Sequence, residues 1–236
     1  MNKSVLAITR LNLQNLNSAY LITAIATIAF SSQYVINVLV TMAGDDISGN
    51  LGLGNGWALW LLVVLAAIFI PTRHFSRIIN LGGKREHYFW GSLLTYAVLA
   101  CHVSLLGMVF YYALDIALIR NAGNLGDIAS IPEVFGWSTH GPIVAFFQQS
   151  AFLFLLATFT HTLAAAQGKW YGWAANIAII AIISVFTPIT PLRNAEVWFF
   201  NLILFHPTAL LQIAACLLLA LAVYLLSKPI LARKVV

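Results

Sequence analysis

Residues 91–119 read GSLLTYAVLACHVSLLGMVFYYALDIALI, an apolar stretch that contains a single charged residue, Asp115. A hydrocarbon core about 30 Å thick is crossed by roughly 20 apolar helical residues, so this stretch predicts a transmembrane helix. Similar stretches occur at 19–42, 57–75, 142–166, 170–186 and 207–227. We therefore predict an all-α membrane protein in which residues 1–236 form one transmembrane domain of six spans.

Composition and charge support this class and give an orientation. Of the residues, 61% are hydrophobic and 8% are charged, which excludes a soluble globular domain. Lys and Arg accumulate on the cytoplasmic side of membrane proteins. With a cytoplasmic N-terminus, only Arg120 and Arg193 lie outside, and the inner side holds Lys3, Arg10, Arg73, Arg77, Lys84, Arg85, Lys169, Lys228, Arg233 and Lys234. The prediction is a multi-pass cell-membrane protein with both termini cytoplasmic, and its charge of +5 reflects topology rather than nucleic-acid binding.

The residues before the first span alternate between apolar and polar types. The apolar set is Val5, Leu6, Ile8, Leu11, Leu13 and Leu16. This pattern predicts an interfacial helix along the inner membrane surface, and the alternative is a polar leader without fixed structure. The segment lacks the continuous apolar core and small-residue site of a cleavable signal peptide.

The loop between spans two and three, 71–90, reads PTRHFSRIINLGGKREHYFW. Its apolar residues Phe75, Ile78, Ile79 and Leu81 predict one face of a short amphipathic helix that ends at Gly82-Gly83. The aromatic run 88–90 predicts an interfacial belt at the start of the third span. An apolar face turned to the cytosol suits docking into a partner's groove, and the alternative is a helix that touches only lipid head groups.

The segment 75–91, FSRIINLGGKREHYFWG, resembles the coupling helix between the second and third spans of ABC-2-type transporter permeases. It is most similar to the small six-span permeases of Gram-positive exporters for phenol-soluble modulins and related antimicrobial peptides. The resemblance implies a permease that dimerises with a second copy or a paralogue, binds an ABC ATPase subunit, and exports amphipathic or hydrophobic molecules such as membrane-active peptides. The residues to which it assigns ATPase coupling are Phe75, Arg77, Ile78, Ile79, Leu81, Gly82, Gly83, Lys84 and Arg85.

The segment before the last span is interrupted by proline. Pro188 and Pro191 are expected to end the fifth span, because each lacks the N–H of a helical residue and clashes with the preceding turn. Residues 197–205 are too few to cross the bilayer, so they predict a re-entrant or interfacial helix on the outer side. The alternative is a longer sixth span beginning near Val197, which Pro207 disfavours. The two long outer loops, 44–56 and 120–141, are expected to connect spans only.

Polar residues within spans are costly and often functional. Gln148, Gln149 and His102 are candidates for a weakly polar translocation path, although such groups usually hydrogen-bond between helices. Asp115 is expected to lie at the outer membrane interface, paired with Arg120. The cysteines, Cys101 and Cys216, are expected to act as small hydrophobes without a disulfide or metal role.

Catalytic motifs are absent from the sequence. It contains no His-Glu-x-x-His, no Gly-x-Ser-x-Gly and no Walker A motif, so ATP and Mg²⁺ are expected on a separate ATPase, with no catalytic, cofactor or metal site on this chain. One alternative function is an ATP-independent small transporter, or an immunity or sensor protein. A second is a b-type cytochrome with His102 and His161 as axial ligands. The sequence does not specify the cargo or its route of entry.

Overall fold

A computed structural model describes residues 3–43, 51–120, 127–167 and 169–234. Its α-helices are α1 (Lys3–Gln14), α2 (Asn17–Met42), α3 (Gly56–Phe69), α4 (Phe75–Asn80), α5 (Arg85–Phe110), α6 (Ile131–Val134), α7 (Pro142–Ala166), α8 (Trp170–Phe186), α9 (Thr190–Phe200) and α10 (Ala209–Ala232). Three π-helical segments, Ile70–His74, Tyr111–Arg120 and Asn201–Phe205, continue α3, α5 and α9, and Trp137–His140 is a 3-10 helix. The predicted all-α class is confirmed.

Five helical stretches within the described residues are long and apolar enough to cross a membrane. They are Asn17–Asn37, Gly56–Asn80, Arg85–Ile116, Pro142–Ala166 and Ala209–Ala232. The pair Trp170–Phe186 and Thr190–Phe205 is bent by 116° at the proline-containing break, and it raises the number to six if it is counted as one span. The chain therefore has the helices of a multi-pass membrane protein.

Hydrogen bonds between helices give their relative directions. Gln148 on α7 bonds Gln212 on α10, and further along both helices Thr162 bonds the Val223 carbonyl, so α7 and α10 run parallel. The helices therefore begin at the same end of the bundle, and the α8–α9 pair joins opposite ends of it. In contrast, α5 runs antiparallel to α7, since Tyr96 faces His161 while Gly107, further along α5, faces Gln149.

The core of the bundle is formed by α3, α5, α7 and α10, and α8 and α9 lie at its edge. Tyr88, Tyr96, Leu99 and Val103 of α5 are buried. By comparison, Gly172 is the single buried residue of α8, and α9 has none. In lipid such exposure of apolar side chains carries no penalty, because the acyl chains are as apolar as the protein.

The two ends of the bundle differ in structure. At one end, the sheet end, β1 (Leu51–Leu53) pairs in parallel with β2 (Asp127–Ala129). The two loops predicted only to connect spans therefore contribute a common element. At the other end, the basic end, lie α1, the turn 81–84 and the end of α10.

The third transmembrane helix begins earlier than the sequence predicts. α5 starts at Arg85 rather than Gly91. Tyr88 and Phe89 are consequently buried in the bundle, while Trp90 is 45% exposed. The predicted aromatic belt is therefore wrong for Tyr88 and Phe89, whose rings pack between helices instead of facing the membrane interface.

Candidate functional site

The turn between α4 and α5 depends on two glycines. Gly82 has φ of +82°, a left-handed conformation that other residues adopt at a cost. The N–H groups of Gly82 and Gly83 donate to the carbonyls of Ile79 and Ile78, each at 2.9 Å. A Cβ atom on Gly83 would lie 2.8 Å from the Ile78 carbonyl oxygen. The prediction that Gly82-Gly83 ends this helix is confirmed.

Helix α4 continues α3 rather than lying across its end. The π-helical segment Ile70–His74 joins it to α3 and contains Pro71, which has no N–H to donate. The Phe75 N–H donates to the Ile70 carbonyl, and the Tyr88 hydroxyl donates to the same carbonyl at 2.8 Å. The wider helical turn at proline is therefore tied to α5 by a side chain.

The apolar face of α4 points into the bundle. Phe75 and Ile78 are 0% and 4% exposed, and the Phe75 ring meets Tyr88 edge-on at 5.0 Å. Ile79 is half-buried, whereas Leu81 is 75% exposed. The prediction that this face is presented to the cytosol is wrong for Phe75 and Ile78, because a helix collinear with α3 turns the same side toward the core.

The residues exposed on the turn include cations and one large apolar side chain. Arg77, Leu81 and Lys84 are exposed, with Glu86 nearby in sequence. Arg77 is held in place, since its Nη1 donates to the Asn15 side-chain oxygen at 3.2 Å. The surface offers one apolar anchor among cations, a combination suited to an acidic partner surface with an apolar depression.

Arg85 connects the turn to the end of α10. Its guanidinium donates to the carbonyls of Leu231 at 2.7 Å, Ala232 at 2.5 Å and Lys234 at 3.0 Å. Lys234 in turn donates from Nζ to the Pro71 carbonyl at 2.7 Å. Both cations lie over the Phe75 ring, at 5.7 Å and 5.6 Å from its centre. Burial lowers the pKa of the Lys234 ammonium.

Helix α1 is attached to the bundle through polar contacts. Asn12 is fully buried, and its side-chain nitrogen donates to Thr95 Oγ1 at 3.4 Å while its oxygen lies 3.3 Å from His74 Nδ1. Thr9 Oγ1 donates to the Gly91 carbonyl at 3.1 Å. The predicted helix exists, but Thr9 and Asn12 are buried against protein together with Ile8, which the alternation of the sequence alone does not indicate.

Gln148 forms part of a buried polar group between α7, α10 and the π-helical segment Asn201–Phe205. Its Nε2 donates to Gln212 Oε1 at 2.5 Å, and Gln212 Nε2 donates to the Ile203 carbonyl at 3.0 Å. Cys216 Sγ lies 3.4 Å from the same carbonyl. This group joins the end of the bent pair to the core of the bundle.

The three candidate path residues do not come together. Gln149 is 1% exposed, and neither atom of its amide has a hydrogen-bond partner in the described part of the chain. Its side chain lies against Gly107 of α5, where the missing Cβ leaves room for it. His102 is exposed on the surface of α5, whereas both glutamines are buried inside the bundle. Cys101 beside it is also exposed.

Tyr96 and His161 form a buried contact that sequence reasoning did not single out. Tyr96 Oη and His161 Nδ1 are 2.6 Å apart and share a hydrogen bond. The Tyr224 ring lies 5.1 Å from the His161 ring and donates its hydroxyl to the Phe89 carbonyl. His102 lies six residues beyond Tyr96, about 9 Å along α5, on the exposed side, so it does not form an axial pair with His161.

Asp115 belongs to a cluster at the sheet end. It accepts hydrogen bonds from the Tyr34 hydroxyl at 3.0 Å and from the Ser130 hydroxyl. The side chain of its predicted partner Arg120 lies outside the described residues. The cluster connects α2, the segment after α5, and the end of β2. No group of three or more His, Cys, Asp or Glu side chains in the described ranges is arranged to hold a metal ion.

Comparison of the chain with family models, curated proteins and solved structures gives no match.

Proposed function

We propose that this chain is the permease subunit of an ATP-driven exporter of the ABC type. It binds a separate ABC ATPase subunit through the turn at the basic end and assembles with a second permease copy or a paralogue. The observation that carries the proposal is the construction of this turn. Arg77 near the end of the helical stretch Gly56–Asn80 and Leu81 and Lys84 just after it are exposed, while Phe75 on the same stretch is fully buried.

The proposed topology has six spans with the basic end in the cytoplasm. The parallel course of α7 and α10 supports a return crossing between them, for which the α8–α9 pair is available. In this arrangement α8 crosses and Thr190–Phe205 re-enters from the outer side, which accounts for the 116° bend. Helix α1 lies at the inner interface beside α5. The excess of Lys and Arg in the segments at the basic end supports the same orientation, with this end in the cytoplasm.

The contacts of the turn would transmit movement from a bound ATPase to the helices of the bundle. Closure of two ATPase subunits on ATP would displace the exposed residues, and α4 would carry the displacement into α3 because the two are joined without a flexible loop. Phe75 and Arg85 would extend it to α5 and α10. The driving force would be the differential affinity of ATP for the two states of the assembly.

The buried polar groups suit amphipathic or hydrophobic cargo. Those in the middle of the bundle are neutral amides, hydroxyls and an imidazole, among them Gln148, Gln149 and His161. A path for charged solutes would be expected to contain ionised side chains, which are rare inside membranes unless they serve transport. We infer that membrane-active peptides, which present apolar surface, are the cargo class.

The test is binding to an ABC ATPase subunit and stimulation of its ATP hydrolysis. Leu81→Asp and Arg77→Glu should reduce stimulation of its ATP hydrolysis by tenfold or more. Each substitution places a carboxylate against a partner surface that is apolar or acidic. Lys228→Glu is the matched control, since Lys228 is an exposed cation on α10 and is not part of the turn. If all three variants stimulate ATP hydrolysis as much as the unsubstituted chain does, the ATP-independent transporter would be favoured instead. Cargo transport by the chain without an ATPase would favour it as well.

A further inference from the structure

Helix α10 is attached differently to its two neighbours. Along α7 it is bonded at separate levels, through Gln212 and Val223. Its hydrogen bonds to α5 in the described residues lie toward the basic end, where the Tyr224 hydroxyl donates to the Phe89 carbonyl and Arg85 binds the carbonyls from Leu231 onward. The interface between α5 and α10, here called the seam, therefore has its hydrogen bonds at one end in the described residues.

Arg85 fastens the seam by capping a helix. The last carbonyls of an α-helix have no partner within the helix. A guanidinium offers five donors in a planar fork, so a single side chain can satisfy several of these oxygens. Arg85 reaches three, on Leu231, Ala232 and Lys234. Because Arg85 is also the first residue of α5, this contact joins the start of one helix to the end of the other.

Lys234, just after α10, adds a contact to the segment that joins α3 and α4. Its ammonium passes the Phe75 ring and donates to the Pro71 carbonyl. A carbonyl oxygen has two lone pairs, so the Pro71 carbonyl can accept a bond from Lys234 in addition to any bond within the helix. Phe75 thus has a cation from each side of the seam over its ring, and such contacts are favourable in partly buried positions.

We infer that Arg85 and Lys234 form a clamp across Phe75 that holds the basic end of the α5–α10 seam closed, and that its release opens this seam. The clamp involves contacts within this chain only, so it stands whether or not an ATPase is the partner. Ser227 lies between the two fastenings, one turn beyond Tyr224, and is fully buried. Residues three apart share a helix face, so Ser227 lies on the face of α10 from which Tyr224 reaches α5, and a cysteine there is used to detect opening.

The test measures exposure of position 227. Ser227→Cys is introduced into a chain that carries Cys101→Ala and Cys216→Ser, and a membrane-impermeant maleimide is added from the basic-end side in native membranes. Lys234→Met keeps the alkyl stem over Phe75 but removes the donor. We expect labelling about tenfold faster, because hydrogen bonds from charged groups contribute enough for a factor of this order. Lys169→Met, which removes an exposed lysine between α7 and α8 without this contact, should leave the rate unchanged.

A second variant guards against misfolding. Arg85→Lys keeps the charge but loses the fork, so it should raise the labelling rate by a smaller factor than Lys234→Met. Size-exclusion elution and helical circular dichroism establish that each variant is folded. If Lys234→Met does not fold, Arg85→Lys decides alone. Labelling rates in the folded clamp variants that equal the rate in Lys169→Met would overturn the proposal.

Discussion

Gly91 of α5 and Ile8 of α1 approach so closely that no side chain fits between them. A Cβ atom on Gly91 would lie 2.7 Å from Ile8 Cγ2 and 3.2 Å from the Val5 carbonyl oxygen. The same approach brings Thr9 within hydrogen-bond distance of the Gly91 carbonyl. Close packing over small residues is a common way for helices to associate in membranes, where the hydrophobic effect does not drive them together.

Gly91→Ala should therefore loosen α1 from the bundle. We expect the free energy of unfolding to fall by about 1–3 kcal/mol, the usual cost of overpacking, although alanine favours the helix itself. The measurement is unfolding in detergent micelles. Gly107→Ala on the same helix is the control, because its Cβ would meet mainly the terminal amide of Gln149, which can rotate away. Equal stability of the two variants would contradict a tight α1–α5 contact.

The proposed orientation predicts that the two ends of the bundle are labelled from opposite sides. Lys84 in the turn and Thr139 in the 3-10 helix are both exposed. In a cysteine-free background, we expect Lys84→Cys to react with an impermeant maleimide from the cytoplasmic side only and Thr139→Cys from the outside only. Reaction of Lys84→Cys from the outside would reverse the topology and remove the turn from reach of an ATPase.

The features that follow from local pattern were predictable. Apolar length located the helices, and the pairs Gly82-Gly83 and Pro188/Pro191 located two interruptions, because a left-handed turn and a missing N–H are properties of the residues themselves. The orientation of α4 was not predictable in this way. Whether Phe75 and Ile78 face a partner or the core depends on α4 being collinear with α3, which their spacing does not determine.

The candidate site shows the same limit. Contacts such as Arg85 with Leu231 and Lys234 with Pro71 join residues that are far apart in the chain, and no local pattern indicates them. The pairing of β1 with β2 likewise depends on two loops meeting at one end of the bundle. Gln148 and Gln149 were identified as candidates from residue type alone, but their different environments follow from which helix each one faces.

The adjacent residues Gln148 and Gln149 should respond oppositely to substitution by methionine. Gln148→Met removes the donor to Gln212 Oε1 and leaves that buried oxygen without a partner, so we expect the free energy of unfolding to fall by about 1–2 kcal/mol. Gln149→Met replaces an amide that has no partner among the described residues with an apolar group, so stability should be unchanged or higher. Thermal unfolding in micelles provides the comparison, and a larger loss for Gln149→Met would contradict it.

Tyr96 and His161 should behave as a coupled pair. Tyr96→Phe leaves Nδ1 of a fully buried imidazole without its partner, and His161→Leu leaves the Tyr96 hydroxyl alone. Each single change should lower the free energy of unfolding, whereas the double variant should cost little more than either one, because a matched apolar pair has no unsatisfied group.

The coupling is measured by a double-mutant cycle in detergent micelles. Hydrogen bonds between membrane helices contribute about 0.6 kcal/mol on average and up to about 1.7 kcal/mol, and the short, fully buried contact between Tyr96 and His161 should lie in the upper half of that range. Ser104, also buried on α5 but without a hydrogen-bond partner for its hydroxyl in the described chain, supplies the control through Ser104→Ala combined with His161→Leu. Additive losses in the Tyr96 cycle, matching those in the Ser104 cycle, would show that α5 and α7 are not joined by this bond.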